Sequence, residues 1–258
     1  MSQAHQRISD AIAAANAAGR TGLVPFITAG YPDKDKFIST LRAVASAGDV
    51  VEVGVPFSDP MADGVTIQRS SHAAIEAGVS LRWILDELTS AGDVGAPLVL
   101  MSYLNPLLAF GYPELAAAAL KAGVCGFIVP DLPLEEGDEL RAALAEQGLA
   151  LIQLVTPATP AERIQRLCAA SQGFVYAVTI KGITGGAQAI PPEVTGYLDR
   201  VREAAGDVPV CAGFGVREAA QLKSLGAHAQ GVIVGSALVE QLESGNDPVA
   251  FLEALRPA

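Results

Sequence analysis

The stretch Gly22-Leu23-Val24-Pro25-Phe26-Ile27-Thr28-Ala29-Gly30 decides between the two architectures open to this chain. It is an apolar run of strand length, and an open doubly wound sheet would carry the phosphate fingerprint GxGxxG directly after its first strand. No such spacing occurs between Gly22 and Gly30. Outward from there, short apolar runs alternate with amphipathic segments along the whole sequence. The runs are Gly22–Thr28, Val50–Val55, Pro97–Met101, Gly126–Val129, Ala150–Val155, Phe174–Val178, Val208–Ala212 and Gly231–Val234. Eight strand–helix units in 258 residues are what a (β/α)8 barrel requires. The expected fold is therefore α/β, a single (β/α)8 TIM barrel over residues 1–258, with an extra N-terminal helix in the Ala-rich run before Arg20.

Helix punctuation supports the alternation. Pro32-Asp33 opens a helix whose Phe37, Leu41 and Val44 recur at helical spacing, with Gly48 at its close. Pro113 starts another, because proline tolerates the first turn, and Gly123 ends it by accepting a left-handed exit. Thr159, Pro160 and Glu162 have the pattern of a capping box, ahead of a buried face of Ile164, Leu167 and Cys168. Val94 to Pro113 carries no charge and has the length of a membrane span, but Pro97, Asn105, Pro106, Gly111 and Pro113 interrupt it. A short strand, a loop and a helix start are expected there instead. No Ser/Gly-rich linker divides the chain, which predicts one domain.

Composition narrows the function classes. Half of the residues are apolar, ample for a core, and acids outnumber bases 28 to 17, for a formal charge of -11. That charge repels phosphodiester backbones and anionic headgroups, so neither nucleic acid nor a membrane surface is an expected partner. A small phosphate ligand remains compatible, because backbone amides bind it locally. Cys125, Cys168 and Cys211 show no CxxC spacing, and His5, His72 and His228 form no HxH or HxxxH pair; no metal site and no disulfide framework are expected. The first twenty residues lack the apolar block of a signal peptide, which points to a cytoplasmic chain.

Chemistry in such a barrel belongs at the C-terminal ends of the strands. In Val50-Val51-Glu52-Val53-Gly54-Val55 the carboxylate at 52 faces opposite to Val51, Val53 and Val55. Turned inward, it would lose hydration and gain a raised pKa suited to acid–base work; the alternative is a structural carboxylate paired with Arg or Lys. The loop Pro56-Phe57-Ser58-Asp59-Pro60-Met61-Ala62-Asp63-Gly64 follows, with Asp59 and Asp63 between prolines and a glycine. Either acid alone reads equally as a turn cap, but at the same strand end as Glu52 at least one forms a carboxylate pair with it. Gly213-Phe214-Gly215 and Val234-Gly235-Ser236-Ala237 follow the seventh and eighth strands, where barrels hold phosphate against a short helix. Lys181 to Ile190, glycine-rich, has the length of a lid or of a connector. Tyr103 to Gly111 is more apolar than a solvated loop, and it reads either as a cover for the chain's own core or as a docking rim.

Taken together, Phe26-Ile27-Thr28-Ala29-Gly30-Tyr31-Pro32, Glu52, the Pro56–Gly64 loop, Gly182-Ile183-Thr184-Gly185, Gly213-Phe214-Gly215 and Gly235-Ser236-Ala237 resemble the tryptophan synthase alpha subunit family over essentially the whole chain. The resemblance implies a lyase of tryptophan biosynthesis that cleaves indole-3-glycerol phosphate to indole and glyceraldehyde 3-phosphate by a cofactor-free retro-aldol reaction. It implies a beta subunit as partner in an alpha2beta2 assembly, with pyridoxal phosphate in that subunit. By matched position it implies Glu52 and Asp63 as catalytic residues and Phe26, Met101, Tyr176 and Thr184 as substrate-binding residues. Gly185, Phe214, Gly215, Gly235 and Ser236 would hold the phosphate. Lys181 and Gly186 depart from the small residue and the alanine common at those positions. A free-standing lyase and a non-catalytic phosphate-binding barrel that only activates a partner are the competing functions.

Overall fold

The computed structural model describes residues 3–178 and 190–256. In chain order, the first half contains α1 (Gln6–Ala17), β1 (Gly22–Thr28), α2 (Phe37–Ala47), β2 (Val51–Gly54), α3 (Val65–Glu76), α4 (Leu81–Ala91), β3 (Leu98–Met101), α5 (Leu104–Phe110), α6 (Tyr112–Lys121) and β4 (Val124–Ile128). The second half contains α7 (Asp138–Glu146), β5 (Ala150–Val155), α8 (Ala161–Ala170), β6 (Val175–Val178), α9 (Pro192–Ala205), β7 (Val210–Gly213), α10 (Ala219–Gly226), β8 (Gly231–Val234), α11 (Ser236–Glu243) and α12 (Pro248–Leu255). The strands pair in sequence order, all in parallel, and β8 closes onto β1 through Leu23 opposite Val232 and Val24 opposite Ile233. This is the expected (β/α)8 barrel with its extra N-terminal helix.

Alternation along each strand sorts side chains into two cores. Val51, Val53, Leu98 and Leu100 point outward and pack with helix residues such as Leu41, Val44, Ile84 and Leu88. Val24, Val50, Val99, Ile128, Ile152, Phe174 and Ile233 fill the barrel, and α1 contributes the fully buried Ile8 and Ile12 to that same cluster. The N-terminal helix therefore stoppers the barrel at the end opposite the strand C-termini. Because Glu52 alternates with Val51 and Val53, it is carried into the interior, level with Phe26 on β1 and Val99 on β3.

Two local expectations are corrected. The capping box at Thr159 does not form: α8 begins at Ala161 with Pro160 at its N-cap and no side-chain cap. The Thr159 hydroxyl accepts instead from the Thr156 N–H at 3.0 Å, closing its own turn, a common competing use of a threonine side chain. The segment after β3, expected as a loop, is the seven-residue helix α5. Pro106 is its third residue, where an N–H would have no helical partner in any case, so proline costs little there. Within this helix Leu107 is buried while Leu108 is 59% exposed. The segment thus both covers its own core and presents an apolar side chain outward. No helix among the described residues is long and apolar enough to cross a membrane.

On α9 the fully buried Tyr197 donates its hydroxyl to the Val155 carbonyl at 2.7 Å and also reaches the Val178 carbonyl at 3.3 Å. It joins the C-terminal ends of β5 and β6 at one point. Tyr197→Phe should cost about 1–2 kcal/mol. Thermal unfolding should show this as a melting temperature lower by about 2–8 °C, with an unchanged far-ultraviolet spectrum.

Candidate active site

Glu52 is the only charged residue among the buried polar side chains of the described residues, 1% exposed, and neither carboxylate oxygen has a hydrogen-bond partner there. The alternative of a structural Arg or Lys partner is thereby ruled out within the described residues. Loss of hydration raises its pKa to about 8, with a smaller push from the charge of Asp63. At neutral pH this group carries a proton that no neighbour claims.

The loop after β2 brings Asp63 to the same cavity, and α3 starts immediately behind it with Gly64 as N-cap. Burial raises the Asp63 pKa to about 6, and a hydrogen bond from Tyr103 works against that rise. The Tyr103 hydroxyl donates to Asp63 Oδ2 at 3.1 Å and accepts from the Ala62 N–H at 2.9 Å, while its ring stacks on Phe57 at 4.8 Å between centroids. Two neighbouring acids are thus driven to different protonation states, the arrangement that acid–base division of labour requires. Asp59, the other acid of the loop, is exposed and accepts from Ser58 at 2.6 Å, so it is not part of this pair.

Phe26, Met101 and Tyr176 supply the apolar walls of the cavity, whose volume is about 240 Å³. Two glycines make room for the rings. A Cβ at Gly54 would stand 2.5 Å from the Phe26 ring, and one at Gly213 would stand 2.5 Å from the Tyr176 ring. Any larger residue at either position would displace an aromatic wall. At the far end lie Phe214, Gly215, Gly235 and Ser236. Gly215 has φ of 64°, and Ser236 begins α11, whose N-terminus has no side-chain cap. Its first-turn amides and positive dipole end are available to an anion.

The fold therefore gathers Phe26, Glu52, Asp63, Met101, Tyr176, Phe214, Gly215, Gly235 and Ser236 around one cavity. Thr184 and Gly185, with Lys181 and Gly186 of the expected lid, lie outside the described residues. Sequence reading missed Ile67 and Ile233 in the cavity wall and Tyr103 behind Asp63. Ile67 was legible in principle, one helical turn after Asp63; Tyr103 depends on the meeting of two loops and left no local signal. Among the described residues no group of three or more His, Cys, Asp or Glu is arranged to hold a metal.

A larger cavity of about 420 Å³ lies beside β4 and β5, lined by Asp131, Arg141, Gln153, Thr159, Arg163 and several leucines. Its charges are already engaged: Arg163 with Glu135 at 2.8 Å, Arg141 with Asp138 at 2.6 Å, and Asp131 with the Leu104 N–H at 2.9 Å. The smaller cavity, with an unpartnered acid and an uncapped helix, is the chemically poised one.

Comparison with known proteins agrees with this geometry over the whole barrel. The family model described as tryptophan synthase alpha chain matches residues 12–255. The tryptophan synthase alpha chain of Nitratidesulfovibrio vulgaris is 45% identical over 250 residues, covering 96% of this chain and 97% of that one. That of Xanthomonas oryzae pv. oryzae is 44% identical over 264 residues, covering 98% of each. A tryptophan synthase structure from M. tuberculosis, in an aminoacrylate-bound form, superposes with a TM-score of 0.87 at 36% identity, covering 96% of this chain and 97% of that one. Sequence and fold match over nearly the full length of each relative, and the chain belongs to the tryptophan synthase alpha chain family.

Proposed function

We propose that this chain, acting as one barrel domain in the cytoplasm, cleaves indole-3-glycerol phosphate reversibly to indole and glyceraldehyde 3-phosphate as the alpha subunit of a tryptophan synthase. The observation that carries the reading is Glu52, a buried acid without a partner, facing Asp63 across a cavity that ends at an uncapped helix N-terminus. Phe26, Met101 and Tyr176 are the walls for a flat aromatic ring, and Phe214, Gly215, Gly235 and Ser236 the cradle for a phosphate. Thr184 and Gly185 belong to the same proposed site by family position.

The chemistry follows from the two protonation states. Protonated Glu52 gives its proton to ring carbon 3, and the ring nitrogen becomes cationic. Ionised Asp63 accepts a hydrogen bond from that N–H, an interaction that strengthens as the charge develops. The bond between carbon 3 and the side chain then breaks, its electron pair neutralising the ring. The carbinol hydroxyl becomes the aldehyde oxygen as its proton passes to the Glu52 carboxylate, which restores the starting acid. Tyr103 holds Asp63 in place through the 3.1 Å bond. Pyridoxal phosphate is not used in these steps; it belongs to the proposed partner, a beta subunit in an alpha2beta2 assembly. Met61, 92% exposed, Val65 and Leu108 lie in segments that follow β2 and β3, at the open end of the barrel, and present apolar surface suited to that partner.

Three outcomes are expected. The kcat/KM profile should be a bell, rising as Asp63 ionises near pH 6 and falling as Glu52 loses its proton near pH 8. Glu52→Gln should lower turnover by at least about a hundredfold. The same change should stabilise the fold, in a direction that linkage fixes. Between its ordinary value of 4.5 and about 8, Glu52 is ionised in the unfolded chain but protonated in the folded one. The folded state then binds more protons, so stability falls as pH rises through that window and is level above it. The melting temperature of the Gln variant should accordingly exceed that of the parent by a margin that grows from pH 5 to pH 8. Near-normal turnover in this variant would remove Glu52 from the mechanism.

Ser236→Asp would put an anion in the cradle and should raise KM for the phosphorylated substrate more than tenfold, with little change in melting temperature; unchanged KM would move the phosphate site elsewhere. Leu108→Glu should weaken beta-subunit binding and the activation it brings, while turnover of the isolated chain stays near the parent value. Assays with and without an added beta subunit separate this outcome from a free-standing lyase, whose turnover would not respond, and from a non-catalytic barrel, which would show none alone.

A further inference from the structure

The two ends of the cavity are joined behind its wall by carboxylates that family position does not assign. On α11, four residues beyond Ser236, Glu240 receives both guanidinium nitrogens of Arg217, at 2.6 and 3.0 Å. Arg217 lies two residues after Gly215. The same carboxylate accepts the Thr66 hydroxyl at 3.1 Å. Thr66 is the second residue of α3, three positions after Asp63. One turn further along both helices the pattern repeats: Glu243 takes Arg69 at 3.0 and 2.6 Å and the Tyr31 hydroxyl at 2.9 Å.

The N-terminus of α3 has reason to need this support. Its N-cap is Gly64, without a side-chain cap, and its first turn contains no acid. Orphan amides and the positive dipole end are thus left next to Asp63, and Glu240, itself held by Arg217, reaches that turn from another helix through the Thr66 hydroxyl. We infer that Glu240 is a positioning residue, which through Thr66 holds the Asp63 loop in register with the phosphate cradle so that phosphate binding orders the acid at the other end of the cavity. The inference deepens the proposed lyase function and rests on it for its kinetic consequence. Arg217 is 56% exposed and Glu240 33% in the side chain, so this partly solvated pair adds little to global stability. Their effect is in placement, where a small displacement of a catalytic group costs rate steeply.

Thr66→Val removes one hydroxyl and leaves the Arg217–Glu240 pair; Thr66→Ser keeps the hydroxyl. The measurements are kcat and KM for indole-3-glycerol phosphate, the dissociation constant of glycerol 3-phosphate, the melting temperature, and amide hydrogen exchange with and without glycerol 3-phosphate. In Thr66→Val, kcat should fall about five- to tenfold with the melting temperature near the parent value, the probe should bind more weakly by the same factor as the protection lost at 62–66, and Thr66→Ser should restore both. The probe should slow exchange at residues 62–66 in the parent and in Thr66→Ser, but in Thr66→Val only at 213–215 and 236–238. Equal protection at 62–66 in all three proteins overturns the inference. So does an unchanged kcat in Thr66→Val, or a rate loss that tracks a fall in melting temperature. If the parent itself fails to cleave the substrate, the lyase reading falls, while the exchange experiment still decides whether Glu240 couples the two ends.

Discussion

Both oxygens of the Glu52 carboxyl group lie inside the barrel with no hydrogen-bond partner among the described residues, and the cost of ionising such a group shapes everything around it. A carboxyl in water would be a poor proton donor at neutral pH; this one keeps its proton until about pH 8. The barrel makes that possible by surrounding β2 with apolar side chains on one face and placing the acid on the other. Asp63, sharing the cavity, cannot be treated in the same way without losing the anion that the proposed reaction calls for. Its Tyr103 hydrogen bond offsets part of the desolvation and leaves it ionised above about pH 6. The two protonation states are thus a difference between two environments eleven residues apart in the chain.

Much of this architecture was legible because strands have period two and barrels have a direction. The runs at Gly22–Thr28, Ala150–Val155 and Gly231–Val234 coincide with observed strands, and the remaining five are displaced by two residues or fewer at either end. That Glu52 faces opposite to Val51 and Val53 followed from alternation, while the inward direction of that face came from the barrel itself. What local reading misjudged were side chains with more than one use. Thr159 had a cap within reach and bonded to Thr156 instead. Pro106 argued for a loop but sits at a helical position where its missing N–H does no harm. Tyr103 and Glu240 were invisible for a different reason: their partners come from elements tens to well over a hundred residues distant, and no periodicity in one segment encodes a meeting between two.

Glycine has two separate duties in the cavity. Gly54 and Gly213 are spaces, empty so that the rings of Phe26 and Tyr176 can fill them. Gly215 is a backbone bend, with φ of 64°, that a side chain would strain. Sequence motifs mark both kinds identically. Only the contacts separate a residue needed for the width of the cavity from one needed for the curve of the loop after β7.

The stopper formed by Ile8 and Ile12 has a consequence for traffic. With one end of the barrel filled by hydrocarbon, the way from Glu52 toward the strand N-termini is closed among the described residues, and the cavity lies at the end where Asp63 and the start of α11 meet. Whatever covers that mouth controls access to the whole interior at once. In the proposed reaction, a proton given to the ring inside a covered barrel would be recovered from the substrate's own hydroxyl rather than from bulk water. The open mouth and the proposed proton cycle are two expressions of the same plugged cylinder.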